Sequence, residues 1–459
     1  MNKHKQNGNI VAIITMIFLF AMISFVTNLA APIGVIWKNQ PEFAGSNFLG
    51  MLGNMMNFLA YLFMGIPAGK LLTKIGYKKT ALVAIAVGFI GILTQYLSGI
   101  VGVGSQLFSL PTNFYVYLLG AFIAGFSVCM LNTVVNPMLN LLGGGGNKGN
   151  QLIQTGGTFN SLSATLTPMF VGALIGNVTK ERVQSGEITM ANVNPVLFIA
   201  MAVFALAFII LSFIPIKDPH AREVKKSGVK YEHSPWHFRH FVLGAIAIFI
   251  YVGVEIGIPG TLNFYLADVS GKGGGLDPQT AAAIAGFVAG TYWFLMLIGR
   301  FLGSLAGGKV SSKAMLTGVS SLGIILVLLA IFIPKTIGTS MPVFTGSSFG
   351  MVKVPISALF LVLCGLCTSI MWGGIFNLAV EGLGKYTAAG SGIFMMMVVG
   401  GGILPLIQNK IADLTTYMTS YWVIIICLVY LLYYALIGSK NVNKDIPVDA
   451  TPTNLPKEV

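Results

Sequence analysis

The chain has 459 residues, 55% of them hydrophobic and 9% charged, and a mean hydropathy of +0.81. That composition excludes an ordinary soluble globule and identifies an integral membrane protein. A formal net charge of +13 would suggest nucleic acid as the partner of a soluble chain, but between apolar segments it reports membrane topology, and no nucleic-acid partner is expected.

A membrane-spanning helix needs about 20 apolar residues. Twelve such stretches follow one another, beginning near Ile10, Asn47, Thr80, Asn113, Thr158, Asn194, His240, Thr280, Ala314, Val354, Tyr386 and Tyr417. The first, running to about Trp37, is too long for a removable signal peptide and has no clear small-residue cleavage site, so it reads as the first span. With a cytoplasmic N-terminus, 20 of the 27 Lys and Arg residues fall on the cytoplasmic side and 7 outside, as the positive-inside rule requires. Both termini are then cytoplasmic, in a multi-pass protein of the cytoplasmic (inner) membrane. The chain divides into an N-terminal six-helix half (1–216), a basic cytoplasmic linker (217–239), a C-terminal six-helix half (240–438) and a polar tail (439–459) that reads as disordered.

Of 14 carboxylates, Glu255 alone lies deep inside an apolar stretch. An acid near the bilayer centre costs roughly 2.5–3.5 kcal/mol on insertion scales and usually faces a pathway. Pro259 stands four residues on and lacks an amide hydrogen, so the Glu255 carbonyl loses its helical partner. This predicts a kink with a free carbonyl beside the carboxyl.

The two halves echo each other. NTVVNPMLNLLG ends the fourth span and GGIFNLAVEGLG the tenth, so Asn136 and Asn377 precede a Leu-Gly pair by the same spacing, closing at Gly143 and Gly384. Pro32 and Pro259 correspond in spans one and seven, as do Pro168 and Pro405 in spans five and eleven. Parallel six-helix repeats predict a site near the midplane between them and alternating access to it. Polar residues at helical spacing mark faces turned to that site: Asn54, Asn57 and Tyr61; Gly125, Cys129, Asn132 and Asn136; Tyr251, Glu255 and Asn263. Amides and a tyrosine among apolar walls suit a neutral, hydroxyl-rich ligand.

Other patterns carry no chemistry. GGGGNKGN from Gly143 lacks the Gly-Lys-Ser/Thr ending of a phosphate loop and reads as a cytoplasmic turn. His233, His237 and His240 lack companion ligands, so no metal is expected and the segment reads as an interfacial helix. Cys129, Cys364, Cys367 and Cys427 all fall within spans and read as packing, the CxxC of Cys364 and Cys367 included. Gly299, Gly303 and Gly307 follow small-xxx-small spacing for close helix contact.

Several motifs together resemble the major facilitator superfamily, and within it the fucose:proton symporter family, which includes glucose and galactose transporters. PAGKLLTKIGYKK resembles the superfamily's cytoplasmic loop motif, with Thr73 where an acid is usual. NTVVNPMLNLLG with TFNSLSATLTP, YVGVEIGIPGTLNFYL, GRFLGS and GSGIFMMMVVGGGILP resemble the family's fourth-to-fifth, seventh, eighth and eleventh spans. The resemblance covers most of the chain. It implies an all-α membrane protein of the major facilitator fold that carries a hexose or deoxyhexose, acts as a monomer in the bilayer and is a transporter, not an enzyme. It also exposes two departures: Asn28 stands where proton-coupled members carry Asp, and Asn132 where they carry Glu. Glu42, Glu181 and Glu187 fall in external loops and cannot substitute, which leaves Glu255 for ion coupling, with proton symport, sodium symport and uniport all open. No cofactor beyond such a gradient is implied.

The substrate-binding set is then Asn28, Asn57, Asn132, Asn136 and Asn160 from the first half, with Tyr251, Asn263, Trp372 and Asn377 from the second. The indole of Trp372 would pack on the apolar side of a pyranose. An exporter of an amphipathic drug or lipid is the alternative that Met395, Met396 and Met397 support and the amides oppose. A receptor or membrane enzyme lacks a nucleophile–base pair or a metal-ligand set, and a channel lacks rings of charge or carbonyls.

Overall fold

A computed structural model describes residues 3–142, 146–175, 180–214, 233–306, 310–344, 349–443 and 445–448. Most of the predicted linker and the last residues of the tail lie outside them. Among the described residues are 12 helical segments long and apolar enough to cross a membrane. In the first half they are span 1 (Ile10–Lys38), span 2 (Leu52–Leu72), span 3 (Lys74–Leu97), span 4 (Thr112–Asn136), span 5 (Thr155–Ile175) and span 6 (Met190–Phe213). The second half comprises span 7 (Arg239–Ala267), span 8 (Ala281–Gly303), span 9 (Ser312–Phe332), span 10 (Ile356–Val380), span 11 (Gly392–Leu414) and span 12 (Tyr417–Gly438). Predicted and observed starts differ most at span 3, Thr80 against Lys74, and span 11, Tyr386 against Gly392. At span 3 the helix runs through polar residues that hydropathy alone excludes, whereas at span 11 the helix itself starts at Thr387, beside the predicted Tyr386. An even number of crossings puts both ends of the chain on one face, here the terminal face. The opposite one is the distal face.

The halves meet along three seams: span 5 on span 8, span 2 on span 11, and span 1 on span 7. The paired prolines behave unequally. Span 1 divides at Leu29, between helices Lys3–Asn28 and Ala30–Lys38, as Pro32 dictates. The helix of span 7, Arg239–Ala267, runs through Pro259 unbroken, so the expected kink beside Glu255 is not a helix break. Residues 257–267 around the proline are buried among neighbouring helices, which holds the helix in register despite the lost hydrogen bond. Span 11 divides instead at Val398–Val399, between helices Thr387–Met397 and Gly400–Leu414. There the absence of side chains matters, since a Cβ on Gly400 would lie 1.8 Å from the Phe249 carbonyl oxygen of span 7. Spans 2 and 3 are joined within the loop motif by Gly76, whose φ of 82° is open to glycine and strained for other residues.

Three segments differ from expectation. Residues 146–150 of the glycine run, read as a turn, form the opening of the helix Gly146–Ile175, because tertiary packing of span 5 extends the helix through them. The start of the tail packs on the terminal face: Asn443 Oδ1 accepts from the Arg239 amide at 2.9 Å, and Ile446 and Val448 lie against the apolar core. Between spans 9 and 10, strands Gly338–Phe344 and Phe349–Pro355 pair antiparallel from Gly338 with Pro355 to Phe344 with Phe349. This distal hairpin was not anticipated. The histidines also part company: His237 Nδ1 lies 3.1 Å from Ser234 Oγ, whereas buried His240 directs Nε2 to the Glu381 carbonyl at 2.8 Å.

Candidate functional site

Where the two halves face each other at mid-membrane, a cavity of about 30 Å³ is lined by Thr27, Asn28, Asn54, Pro259, Asn263 and Trp293, among others. That is room for a water or two and far too little for a hexose. Asn28 and Asn263 were expected at such a place and are brought together here. The break in span 1 positions Asn28 as the last residue of its first helix, where its Nδ2 donates to the Ser24 carbonyl at 2.9 Å. That leaves the amide oxygen as the acceptor it can offer a ligand. Asn54 belongs to the same lining and donates across the seam to the Gly401 carbonyl at 2.9 Å. The indole at this cavity is that of Trp293, and Trp372 packs elsewhere.

Deeper toward the terminal face lies an ion pair. Arg300 Nη2 of span 8 is 3.6 Å from Glu255 Oε1 of span 7, with side chains 21% and 13% exposed. Arg300 Nη1 reaches into the other half, donating to the Gly157 carbonyl at 3.2 Å and Ser161 Oγ at 2.9 Å on span 5. Glu255 is therefore not a solitary acid. Its charge is balanced by a cation that simultaneously ties the halves together. The Tyr251 hydroxyl, one turn before Glu255, lies beside both charged groups without meeting hydrogen-bond geometry to either. Its ring stands against Trp372, centroids 6.2 Å apart and planes at 59°. A carboxylate, a guanidinium, a phenol and an indole thus form one cluster, reached from both halves.

Of the remaining amides, Asn132 and Asn160 hold neighbouring helices and Asn136 bonds within its own helix. Asn132 Nδ2 donates to the Tyr61 hydroxyl at 2.7 Å, joining span 4 to span 2. Asn136 Nδ2 donates to the Asn132 carbonyl at 3.2 Å, and Asn160 Nδ2 to the Phe20 carbonyl at 2.8 Å, joining span 5 to span 1. All three are half-buried, and Asn377 is exposed. Asn57 is buried and its Oδ1 has no partner among the described residues. It is not among the residues that line the central cavity.

Sequence reasoning turned Asn54 toward the site but left it out of the binding set, and missed Arg300, Ser161 and Trp293. Arg300 carried a usable signal: it falls within twenty residues of the start of an apolar stretch, and an intramembrane cation implies an anionic partner. The GRFLGS motif directed attention to its glycines instead. Trp293 and Trp372 are indistinguishable by pattern, and only packing separates them.

The Major Facilitator Superfamily model matches residues 13–406. Among curated proteins the chain is 32% identical to a glucose/galactose transporter of Brucella abortus over 94% of each chain. It is 30% identical to a putative glucose/galactose transporter of Helicobacter pylori, covering 95% of this chain and 99% of that one. An L-fucose-proton symporter of Escherichia coli K12 is 23% identical over 87% of this chain and 85% of its own. Among solved structures, the fucose transporter FucP in its outward conformation superposes with a TM-score of 0.64 at 21% identity, covering 95% of this chain and 100% of that one. A D-xylose-proton symporter does so at 0.63 and 13%, covering 94% and 98%.

Proposed function

The chain belongs to the major facilitator superfamily, and from that premise we propose that it carries a hexose or deoxyhexose across the cytoplasmic membrane by alternating access. The observation that carries this reading is the convergence of amides from both halves, Asn28 and Asn54 facing Asn263, beside an indole at the mid-membrane cavity described above. Amide groups both donate and accept, which matches sugar hydroxyls, and an indole face matches the apolar face of a pyranose. The names of the relatives support the same passenger. The bias of Lys and Arg toward the loops on the side of the termini supports a cytoplasmic position for both ends.

In this reading the sugar enters when the halves separate on one face, widening the small cavity to a site that includes Asn132, Asn136 and Asn160 on one wall and Tyr251, Trp372 and Asn377 on the other. Coupling, where a gradient drives transport, is assigned to Glu255. Asn132 donates to Tyr61, a bond that an ionised carboxylate could not make in that direction, so the first half is built to work without a titrating acid. Neutralising Glu255 with a proton or a sodium ion removes the charge that balances Arg300, and Arg300 is the group that grips Gly157 and Ser161 on the opposite half. Loading of the carboxylate thereby acts on the seam between the halves.

The test is uptake into proteoliposomes across a panel of hexoses, deoxyhexoses and amino sugars, with proton and sodium gradients imposed or collapsed. Saturable uptake of at least one hexose, competed by its close analogues, is expected. If no sugar moves or competes, the passenger is wrong. A Glu255→Gln variant that still accumulates sugar under an imposed gradient removes the coupling role.

A further inference from the structure

Lys38, at the distal end of span 1, is only 3% exposed. A buried ammonium must find acceptors, because leaving one unpaired in an apolar medium is far costlier than leaving a lost hydrogen bond. It finds them on both halves. Its Nζ donates to Asn47 Oδ1 of its own half at 2.9 Å, to the Tyr417 hydroxyl of span 12 at 3.2 Å and, at 3.5 Å, to the Phe264 carbonyl of span 7. It also stands over the Phe264 ring, 4.7 Å from the centroid, a cation–π placement. Tyr417 extends the chain of bonds, its hydroxyl lying 3.0 Å from Asn47 Oδ1 and 2.9 Å from Asp268 Oδ2 just past the end of span 7.

A second carboxylate works alongside. Asp413, at the distal end of span 11, accepts from Ser46 Oγ at 2.7 Å and from the backbone amides of Asn47 and Phe48 at 2.7 and 2.9 Å. An acid of one half thus caps the first turn of the short helix Asn47–Gly50 of the other. Charge-assisted bonds of this kind are short and about twice as strong as neutral ones. The network joins the end of span 1 and the short helix Asn47–Gly50 to spans 7, 11 and 12 through the bonds of Lys38 to Tyr417 and Phe264, of Tyr417 to Asn47, and of Asp413 to Ser46, Asn47 and Phe48. It lies beyond the central cavity: Lys38 is ten residues along the chain from Asn28, about 15 Å at helical rise.

We propose that Lys38, Asn47, Tyr417, Asp268 and Asp413 form a distal clasp that shuts the transport path on the face opposite the termini and must come apart each time the site opens there. The clasp rests on the alternating-access reading but not on the passenger being a sugar. Lys38 and Asp413 each bond to the opposite half, and Asp268 joins that contact through Tyr417, so separating the halves exchanges the crossing bonds for water in a single step. That makes the closed state discrete. The clasp explains why a lysine, which ordinarily snorkels to water, is held inside at the end of a span. It also explains why the start of span 2 is broken into a separate short helix, since that helix presents its free amides to Asp413.

The experiment measures distances between spin labels on Ser105→Cys, in the loop between spans 3 and 4, and Thr336→Cys, in the loop after span 9. Both sites are exposed on the distal face, and the four native cysteines are buried and free, so brief labelling spares them. The otherwise unaltered protein is expected to show one short-distance population. Lys38→Met or Asp413→Asn is expected to add a second, longer population, while Lys335→Met, at an exposed lysine on the same face, leaves the distribution unchanged. Tyr417→Phe removes two hydroxyl bonds without removing a charge, and keeps the test open should a charge variant fail to fold. It should lengthen the distance in the same sense. Unchanged distributions in Lys38→Met, Asp413→Asn and Tyr417→Phe, or an equal shift in Lys335→Met, overturn the clasp. None of these readouts depends on which solute is carried, so failure of the sugar assignment leaves the measurement interpretable.

Discussion

Lys38 and Arg300 are both cations held between the halves of one apolar body, yet they are anchored in opposite ways. Lys38 sits almost wholly buried among several oxygens, the carboxylates near it being shared with tyrosine, serine and backbone donors. Arg300 faces a single carboxylate at 3.6 Å, and both side chains keep some accessible surface. Redundancy at the distal face makes a stable closure that no single bond decides. At mid-membrane the balance hangs on one acid, and changing the charge of that acid changes the force on the whole seam. A gate needs the first arrangement and a coupling switch the second.

The sharpest way to break this comparison is to remove one cation at a time. Arg300→Met leaves Glu255 without its counter-charge, and truncating one partner of a buried pair costs about 3 kcal/mol or more. An equivalent loss of ~100-fold in uptake is expected, together with a clear fall in thermal stability. The double variant Glu255→Gln with Arg300→Gln should recover most of the stability and none of the gradient-driven accumulation. Stability that falls as far in the double variant as in Arg300→Met would show that the pair is not the source of the loss.

Between the two clusters lies a position that should disturb neither. Asn263→Leu removes a hydrogen-bonding group worth about 1–1.5 kcal/mol from the cavity. It should therefore raise KM for the preferred sugar about tenfold while the distal label distance stays as it was. A change in the distance without a change in KM would relocate the site.

A smaller effect is expected from Lys38→Met on unfolding. Asp268 and Asp413 keep their tyrosine, serine and backbone donors when the ammonium is removed, so the unfolding free energy should fall by less than in Arg300→Met even as the label distances change. Thermal or denaturant melts of the same preparations check this. If Lys38→Met melts as early as Arg300→Met, the two cations are equivalent and the contrast drawn between them fails.

The smallest effect concerns pH. Burial alone would push the Asp268 carboxyl up, but the Lys38 ammonium and the donors of Ser270 and Tyr417 outweigh it and hold the group below its ordinary value. Its contribution to the clasp is then fully present above the ordinary carboxylate range, near pH 4, and is lost as pH falls through the lowered value. Label distances should be insensitive to this group from pH 5 to 8 and lengthen only in stronger acid. Lengthening that begins at pH 6 in the native protein and disappears in Asp268→Asn would contradict the assigned direction.

Much of this was legible before any coordinates. The twelve apolar stretches, the division into halves and the unusual position of Glu255 follow from hydropathy and charge, since the cost of polar groups in lipid acts residue by residue along the chain. The halving of span 1 at Pro32 was equally local. Other features were not. Pro32 and Pro259 occupy matching places, but one helix divides and the other continues, because residues 257–267 around Pro259 are buried among neighbouring helices. Asn28 and Asn263 line the central cavity with Trp293, whereas Trp372 stands against Tyr251 in the neighbouring cluster, and only packing separates the two indoles.

The sequence by itself determined that this is a twelve-span membrane protein in two related halves, with one acid deep in the bilayer. Only the tertiary structure decided which charges meet. Glu255 and Arg300 are 45 residues apart in the numbering, and Lys38 and Tyr417 are separated by 379. A charge in an apolar body is made tolerable by its partner in space, and the chain's linear order carries no record of that partner until the helices are packed.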